Sequence, residues 1–485
     1  MCDRERGWSE VPLAKTWQLI AGSAVAGLAL SAAVVSAAGP WDSGQRKAER
    51  DKAASWSRTG GADHAATAGD PPQAAPSAPG VLAGVGPRPA DAVGAAPDAL
   101  AGVLGPLLAD PALGTVRAAS VVDTATGRVL FESGSSEAMT PASTVKIATA
   151  SAALAALGPE HRIRTTVTPG AGPGAIVLVG GGDPSLTARK KSPAGSGGSL
   201  VALAADTAQA LKAAGTDTVT LGYDDSLYTG AVRHPIGRND NLAPVTALTA
   251  DEGRPDDSTS GPVTRTEDPS GDTARAFAGL LRDRGIKVTG DPAKAQAPAG
   301  AQPLATTLST PLAGLVERML TNSDNDIAEA LARQTALAAG QGAAFEGAEK
   351  AVAEKLASLG VDVTGTRFAD GSGLNRADKV TTRLLTGLLA AAADPRHPEL
   401  RPVLTGLPVA GFTGTLRARN AGTSPAAGLL RAKTGTLTGV NSLAGTVVDP
   451  SGRLLAFAFL TAGAADGPAA EKGLDKLAAA VATTS

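Results

Sequence analysis

Cysteine is almost missing from this chain: 485 residues contain one, Cys2. No disulfide can form within it, and its body holds no cysteine-based metal site or cysteine nucleophile. Cys2 has no apolar signal ahead of it and is not read as a lipid-attachment site. Aromatic residues make up only 3%, so the core must be built largely from Ala, Val and Leu. Histidine is scarce as well: His64, His161, His234 and His397. Their spacing supports neither a zinc site nor a His-based triad, and all four are read as ordinary loop and surface residues. No metal and no cofactor is expected. A net charge of −2 offers no electrostatic footprint for nucleic acid.

What is present is a globular composition, 43% hydrophobic and 19% charged, at a length that suggests more than one domain. A short tail, residues 1–15, precedes a segment at 16–41 that carries no charge. The centre of that segment is apolar, with Leu19-Ile20-Ala21 and then Val25 to Val35. It is long enough to span a bilayer. Ser36, Ala37 and Ala38 could also serve a signal peptidase, so anchor and cleaved signal both stay open. Arg4, Arg6 and Lys15 precede the segment while Arg46, Lys47, Arg50 and Lys52 follow it. Charge therefore does not set the orientation. Residues 42–97 are rich in Pro, Ala, Gly, Ser and Asp and lack the large apolar residues that a core needs. They read as an extended linker.

The folded part starts near Asp98. Ala118 to Asp123 and Arg128 to Phe131 flank Thr124-Ala125-Thr126-Gly127 and predict a hairpin. Near the other end, Leu430 to Lys433 predicts a strand. Ser442 to Val448 and Leu454 to Leu460 predict a second hairpin, and residues 467–484 a closing helix. Strands from both ends with helices between them predict one antiparallel sheet that the termini complete together, an α+β fold. The sheet domain is assigned residues 98–165 and 299–485. Between them, residues 166–298 mix a strand (Ile176 to Val179), helices (Ser199 to Ala214, Asp272 to Arg284) and Gly/Pro-rich turns. This is read as an inserted α/β subdomain. Gly180-Gly181-Gly182-Asp183-Pro184 lacks the spacing of a phosphate loop and is read as a tight turn.

Ser143-Thr144-Val145-Lys146 follows Pro141 and leads into an Ala-rich run that ends at Gly158-Pro159. These boundaries bracket a helix. Residues three apart share a helix face, so the Lys146 amine can reach the Ser143 hydroxyl. That is a nucleophile beside a base, as covalent acyl transfer requires. Alone, Ser-x-x-Lys is a weak pattern. Here Ser323-Asp324-Asn325 and Lys433-Thr434-Gly435 follow it, each once and in that order, the trio shared by serine β-lactamases and penicillin-binding proteins.

With these motifs, the chain resembles the low-molecular-mass class C penicillin-binding proteins, the D-alanyl-D-alanine carboxypeptidase/endopeptidase family. Gly180 to Leu186, Asp370-Gly371-Ser372-Gly373-Leu374, Leu407 to Gly411, Gly414 to Arg417 and Lys433 to Val440 are similar to it too. The departure is length, because the insertion holds one extra domain where family members often carry two. The resemblance implies a serine β-lactamase/DD-peptidase-like fold. It also implies that Ser143 is the nucleophile and Lys146 its general base. Ser323 would relay a proton to the leaving amine, and Asn325 would hold Lys146 and the substrate amide. Asp324 is given a structural role. Lys433 and Thr434 would bind the substrate's terminal carboxylate, with Gly435 allowing close approach. The N–H groups of Ser143 and Thr436 would form the oxyanion hole. As general base Lys146 must be neutral; burial and a second cation nearby both lower a lysine pKa, and Lys433 is the candidate cation.

The substrates implied are peptidoglycan stem peptides outside the cytoplasm, with β-lactams as inhibitors. That places the catalytic part outside the membrane, attached through residues 16–41 or released if they are cleaved. A flexible linker of this length gives a reach of roughly 40–45 Å. A β-lactamase is the alternative enzyme, but the Glu-x-x-Leu-Asn pattern that activates the hydrolytic water in class A is missing. A penicillin-sensing or wall-binding module with an idle site is the non-enzymatic alternative.

Overall fold

The structure is a computed structural model that describes residues 97–484 apart from 194. The expected anchor at 16–41 and the linker up to residue 96 lie outside the described residues. Among the described residues, no helix is long and apolar enough to cross a membrane.

Helix α1 (Pro97–Leu108) leads into strands β1 (Val116–Asp123) and β2 (Val129–Ser133), the predicted hairpin. Helix α2 (Lys146–Leu157) follows. An inserted region then supplies β3 (Arg164–Pro169), β4 (Ala175–Val179), α3 (Leu200–Ala213), β5 (Thr218–Asp224), α4 (Pro269–Arg282), β6 (Lys287–Val288), β7 (Ala293–Lys294) and β8 (Ala305–Leu308). The chain returns through α5 (Leu312–Asn322), α6 (Asn325–Ala338), α7 (Phe345–Ser358), α8 (Thr382–Ala393) and the short α9 (Arg401–Thr405). It closes with β9 (Leu430–Leu437), β10 (Val440–Val448), β11 (Leu454–Ala462) and α10 (Gly467–Thr483).

One five-stranded sheet has the order β2-β1-β11-β10-β9, and its paired strands run antiparallel. The two ends of the chain do build it together, since β1 pairs with β11 along its whole length, from Val116 opposite Ala462 to Asp123 opposite Leu455. Strand β11 shows how both faces are covered. Ala456, Ala458 and Leu460 join a core with Val145 and the α8 residues Leu384 and Leu388. Leu455, Phe457 and Phe459 alternate with them and pack on Leu474, Leu477 and Val481 of α10. Because successive strand side chains face opposite ways, such a continuously apolar strand marks a sheet buried on both sides.

The second sheet has the order β6-β5-β4-β3-β8, parallel through β4-β5-β6 and antiparallel on either side of β3. Its helices α3 and α4 bury Leu203, Leu211, Phe277 and Leu281 against it. It draws in Arg164–Pro169 and Ala305–Leu308, so the insertion's sheet begins before residue 166 and ends after 298. At the end of β4 the glycine run is a turn pressed against the backbone. A Cβ on Gly181 would lie 1.9 Å from the Arg164 carbonyl, and Gly182 has φ +85.

Candidate active site

Ala142–Val145 form a 3-10 turn, and α2 starts at Lys146. Ala142 has φ +48, a left-handed conformation that a residue with a Cβ rarely adopts. The surroundings hold it there. Ser442 Oγ of β10 donates to the Pro141 carbonyl at 2.7 Å. Gly373 (φ +85) and Gly435 press on the same turn, where added Cβ atoms would lie 2.1 Å from the Ala142 oxygen and 3.0 Å from the Ser143 nitrogen. Strain of this kind persists where the fold over-determines it, and it concentrates at functional sites.

Lys146 is fully buried. Its Nζ lies 3.0 Å from Ser143 Oγ, 2.7 Å from Asn325 Oδ1 and 2.5 Å from the Ser372 carbonyl. Asn325 donates from Nδ2 to the Asn241 carbonyl at 3.0 Å, which turns its oxygen toward the lysine. Ser372 O and Asn325 Oδ1 only accept hydrogen bonds. A neutral Lys146 therefore spends its two N–H bonds on them and points its lone pair at Ser143 Oγ. Burial pulls the Lys146 pKa down to about 8, against the opposing charges of Asp370, Glu329, Asp324 and Asp378. Of the two causes expected, burial and a second cation, burial is the dominant one. Lys433 is itself fully buried and is pushed well below its ordinary value by desolvation and by Lys146.

Ser323 ends α5 in a left-handed conformation (φ 59), and Asp324 caps α6, its carboxylate accepting from Ile327 N at 3.0 Å. This capping role turns Asp324 away from the lysine and presents Asn325 to it. Ser143, Ser323, Asn325 and Thr436 line one cleft of about 320 Å³ with Asn241, Arg254, Arg265 and Leu374. On its other wall runs β9, which carries Lys433, Thr434, Gly435 and Thr436. It is an edge strand whose outer side is covered by Pro408–Ala410 only as far as Ala432. From Lys433 onward that edge has no strand partner among the described residues. Thr434 Oγ1 donates to Thr415 Oγ1 at 2.9 Å, placing two hydroxyls on that edge. Lys433 donates to the Thr434 carbonyl at 2.8 Å from beneath the strand. It is a buried support of the strand and not an exposed contact.

Several residues here lie outside the three motifs. Glu329 lies four residues after Asn325 on the same face of α6, a spacing that the sequence displays. Its Oε1 accepts from Gly371 N at 3.1 Å and Ser372 N at 3.0 Å. Burial raises its pKa to about 7. Asp370 Oδ1 accepts from Ser372 N (3.0 Å) and Gly373 N (2.6 Å), and Oδ2 from Asn375 N (2.7 Å). Asp378 accepts from Asp370 N at 3.2 Å. Burial alone would raise both carboxyls. Hydrogen bonds from His234 and Asp378 hold Asp370 down at about 2, while burial and the Asp370 charge push Asp378 up to about 10. His234 corrects the reading of the histidines as loop and surface residues: it is 3% exposed and bonds Asp370 Oδ2 at 2.8 Å. His234, Glu329 and Asp370 each place a ligand atom within 4.8 Å of the others. Backbone N–H groups already occupy those carboxylates, so the cluster is a hydrogen-bond network and not a vacant cation cage.

The model of the D-Ala-D-Ala carboxypeptidase 3 (S13) family matches residues 100–259 and 252–481. The chain belongs to this family. A carboxypeptidase of Mycobacterium tuberculosis is 37% identical over 84% of this chain and 88% of its own length. Carboxypeptidase DacB of Mycolicibacterium smegmatis is 37% identical over 78% and 83%. The crystal structure of penicillin-binding protein 4 from Haemophilus influenzae, 23% identical, matches 78% of this chain and 97% of its own with a TM-score of 0.64. That likeness establishes the fold, a serine DD-peptidase-like α+β architecture. The S13 family thus supplies the context in which the three motifs meet at one cleft.

Proposed function

We propose that Ser143 is the nucleophile and Lys146 its general base in peptide cleavage on peptidoglycan stem peptides. The activity class comes with the family: the chain is a serine-type D-Ala-D-Ala carboxypeptidase. The observation that supports the assignment of roles most strongly is the environment of Lys146 Nζ. Two acceptor-only oxygens and Ser143 Oγ surround it, so the neutral amine would give its hydrogens to the first two and turn its lone pair to the Ser143 hydroxyl.

Neutral Lys146 takes the proton as Ser143 Oγ attacks the carbonyl between the two D-Ala residues. The N–H groups of Ser143 and Thr436 receive the developing oxyanion, a contribution whose loss typically costs ~10²–10³ in rate. Ser323 hands a proton to the departing amine, free D-Ala leaves, and water hydrolyses the Ser143 ester. Thr434, joined by Thr415 and with Lys433 buried beside it, holds the terminal carboxylate while Gly435 lets the substrate backbone approach β9. A β-lactam offers the same amide and carboxylate in one ring and acylates Ser143. A D-Ala cross-link to meso-diaminopimelate fits the same chemistry, which would make the enzyme an endopeptidase as well. The uncharged segment at 16–41 and a wall substrate together support an N-terminus inside and a catalytic domain outside the membrane.

The test is release of D-Ala from a D-Ala-D-Ala peptide. Wild type should release it and Ser143→Ala should not. No release by wild type would sink this reading.

A further inference from the structure

His234 is the one histidine the inserted subdomain sends toward the active site, and the mechanism above does not use it. It is buried, and its ring packs edge-on against Phe345 of α7 with centroids 5.4 Å apart. Its tautomer follows from its neighbours. Ile236 N donates to Nδ1 at 3.2 Å, so Nδ1 accepts, and Nε2 carries the hydrogen that it gives to Asp370 Oδ2.

Asp370 is the hub of the turn at 370–375. Its two oxygens gather the N–H groups of Ser372, Gly373 and Asn375, and the hydroxyl of Ser372. That turn does two things for the catalytic pair. The Ser372 carbonyl is one of the two acceptors that orient Lys146 Nζ. Gly373 supports the strained Ala142 that precedes Ser143. The other acceptor of Lys146, Asn325 Oδ1, is oriented by the Asn241 carbonyl. Both oxygens that aim the lysine are therefore held in part from residues 234–241 of the insertion, with Glu329 and Asp378 also bonding the 370–375 turn.

We propose that His234 is a positioning residue: its Nε2–H holds Asp370, and through the 370–375 turn it aims the Lys146 lone pair at Ser143. The inserted subdomain is thereby part of the catalytic apparatus and not only an appendage for substrate. This rests on the assignment of Lys146 as general base.

The experiment compares wild type, His234→Leu and His234→Gln in the full-length protein. Leu keeps bulk and removes the donor, whereas Gln keeps an N–H that can reach Asp370. The readouts are acylation by a fluorescent penicillin, kcat and KM for D-Ala release, and the melting temperature. A misplaced base lowers kcat more than KM. The expected result for His234→Leu is a fall of ~10- to 100-fold in acylation and kcat, as remote misplacement of about an ångström produces. His234→Gln should stay within about threefold of wild type, because it restores the hydrogen bond. If His234→Leu does not fold, His234→Phe takes its place, with the same expectation. The inference is overturned if the variant lacking the donor acylates at the wild-type rate. It is also overturned if Gln and Leu lose rate equally, because packing would then be the whole effect. In both cases an active wild type leaves the functional reading intact. A wild type that neither takes up penicillin nor releases D-Ala overturns both.

Discussion

Lys146 should impose a steep pH dependence on acylation. Its amine is fully buried, and loss of hydration pulls its pKa to about 8 despite nearby acidic groups, Asp370 first among them. With a midpoint there, the neutral fraction is ~1% at pH 6, ~10% at pH 7 and ~90% at pH 9. Only that fraction can take the Ser143 proton. The second-order rate of labelling by a fluorescent penicillin should therefore rise about tenfold per pH unit below 8 and level off above it. Stopped-flow mixing from pH 6 to 10 measures this directly. A profile that is flat from pH 6 to 9, or one that rises only toward the ~10.4 of a solvated lysine, would refute the reasoning. Stability gives an independent check on the same group. The folded-state pKa lies below the unfolded one, so the buried ammonium costs about 3 kcal/mol below pH 8. That cost is relieved as pH rises from 8 toward 10.5. The Lys146 contribution to stability thus improves with pH across this window, and it disappears from the melting profile of Lys146→Met.

Three further outcomes follow from the same geometry. Gly373→Ala places a Cβ 2.1 Å from the Ala142 oxygen at φ +85. It should slow penicillin labelling by ~10²-fold, and labelling at the wild-type rate would show that the turn is not tightly held. Arg265→Ala leaves the Asp326 carboxylate unpaired where the two now meet at 2.9 Å. It should cost roughly 3–5 kcal/mol as a broken buried pair, read as a fall in melting temperature, and Arg265→Lys should recover part of that. Penicillin bound to Ser143 should persist because no class A Glu-x-x-Leu-Asn pattern follows Ser323. Clearance of the adduct within seconds, followed by intact mass, would point to a β-lactamase.

The three motifs were legible because each is local. A Ser and a Lys three apart on a helix, an Asx cap and a Gly-containing strand all state their geometry in a few residues. The five-stranded sheet was legible for a similar reason: the terminal strands alternate or run apolar between clear turn residues, and both chain ends carry them. What the sequence hid is non-local. Asp370 reaches across 136 positions to His234, and no periodicity or spacing connects them. Ser372 contributes its carbonyl, which any residue type could supply, so nothing in its identity announces the contact with Lys146. Lys433 carried a visible cation, but its burial depends on how β9 stacks over the turn at Ala142–Val145. Burial and a second cation were both legible as causes of a low Lys146 pKa, but which one dominates depends on that packing. The edges of the insertion were displaced because Arg164–Pro169 and Ala305–Leu308 are ordinary strands that become part of the second sheet only by pairing with each other.

The most direct measurement is peptide mass mapping of the enzyme after brief exposure to benzylpenicillin. The chemistry at Ser143 and Lys146 predicts a penicilloyl mass on the peptide that contains Ser143, absent in Ser143→Ala and formed far more slowly in Lys146→Ala. An adduct on any other peptide, or undiminished labelling of Ser143→Ala, would contradict it.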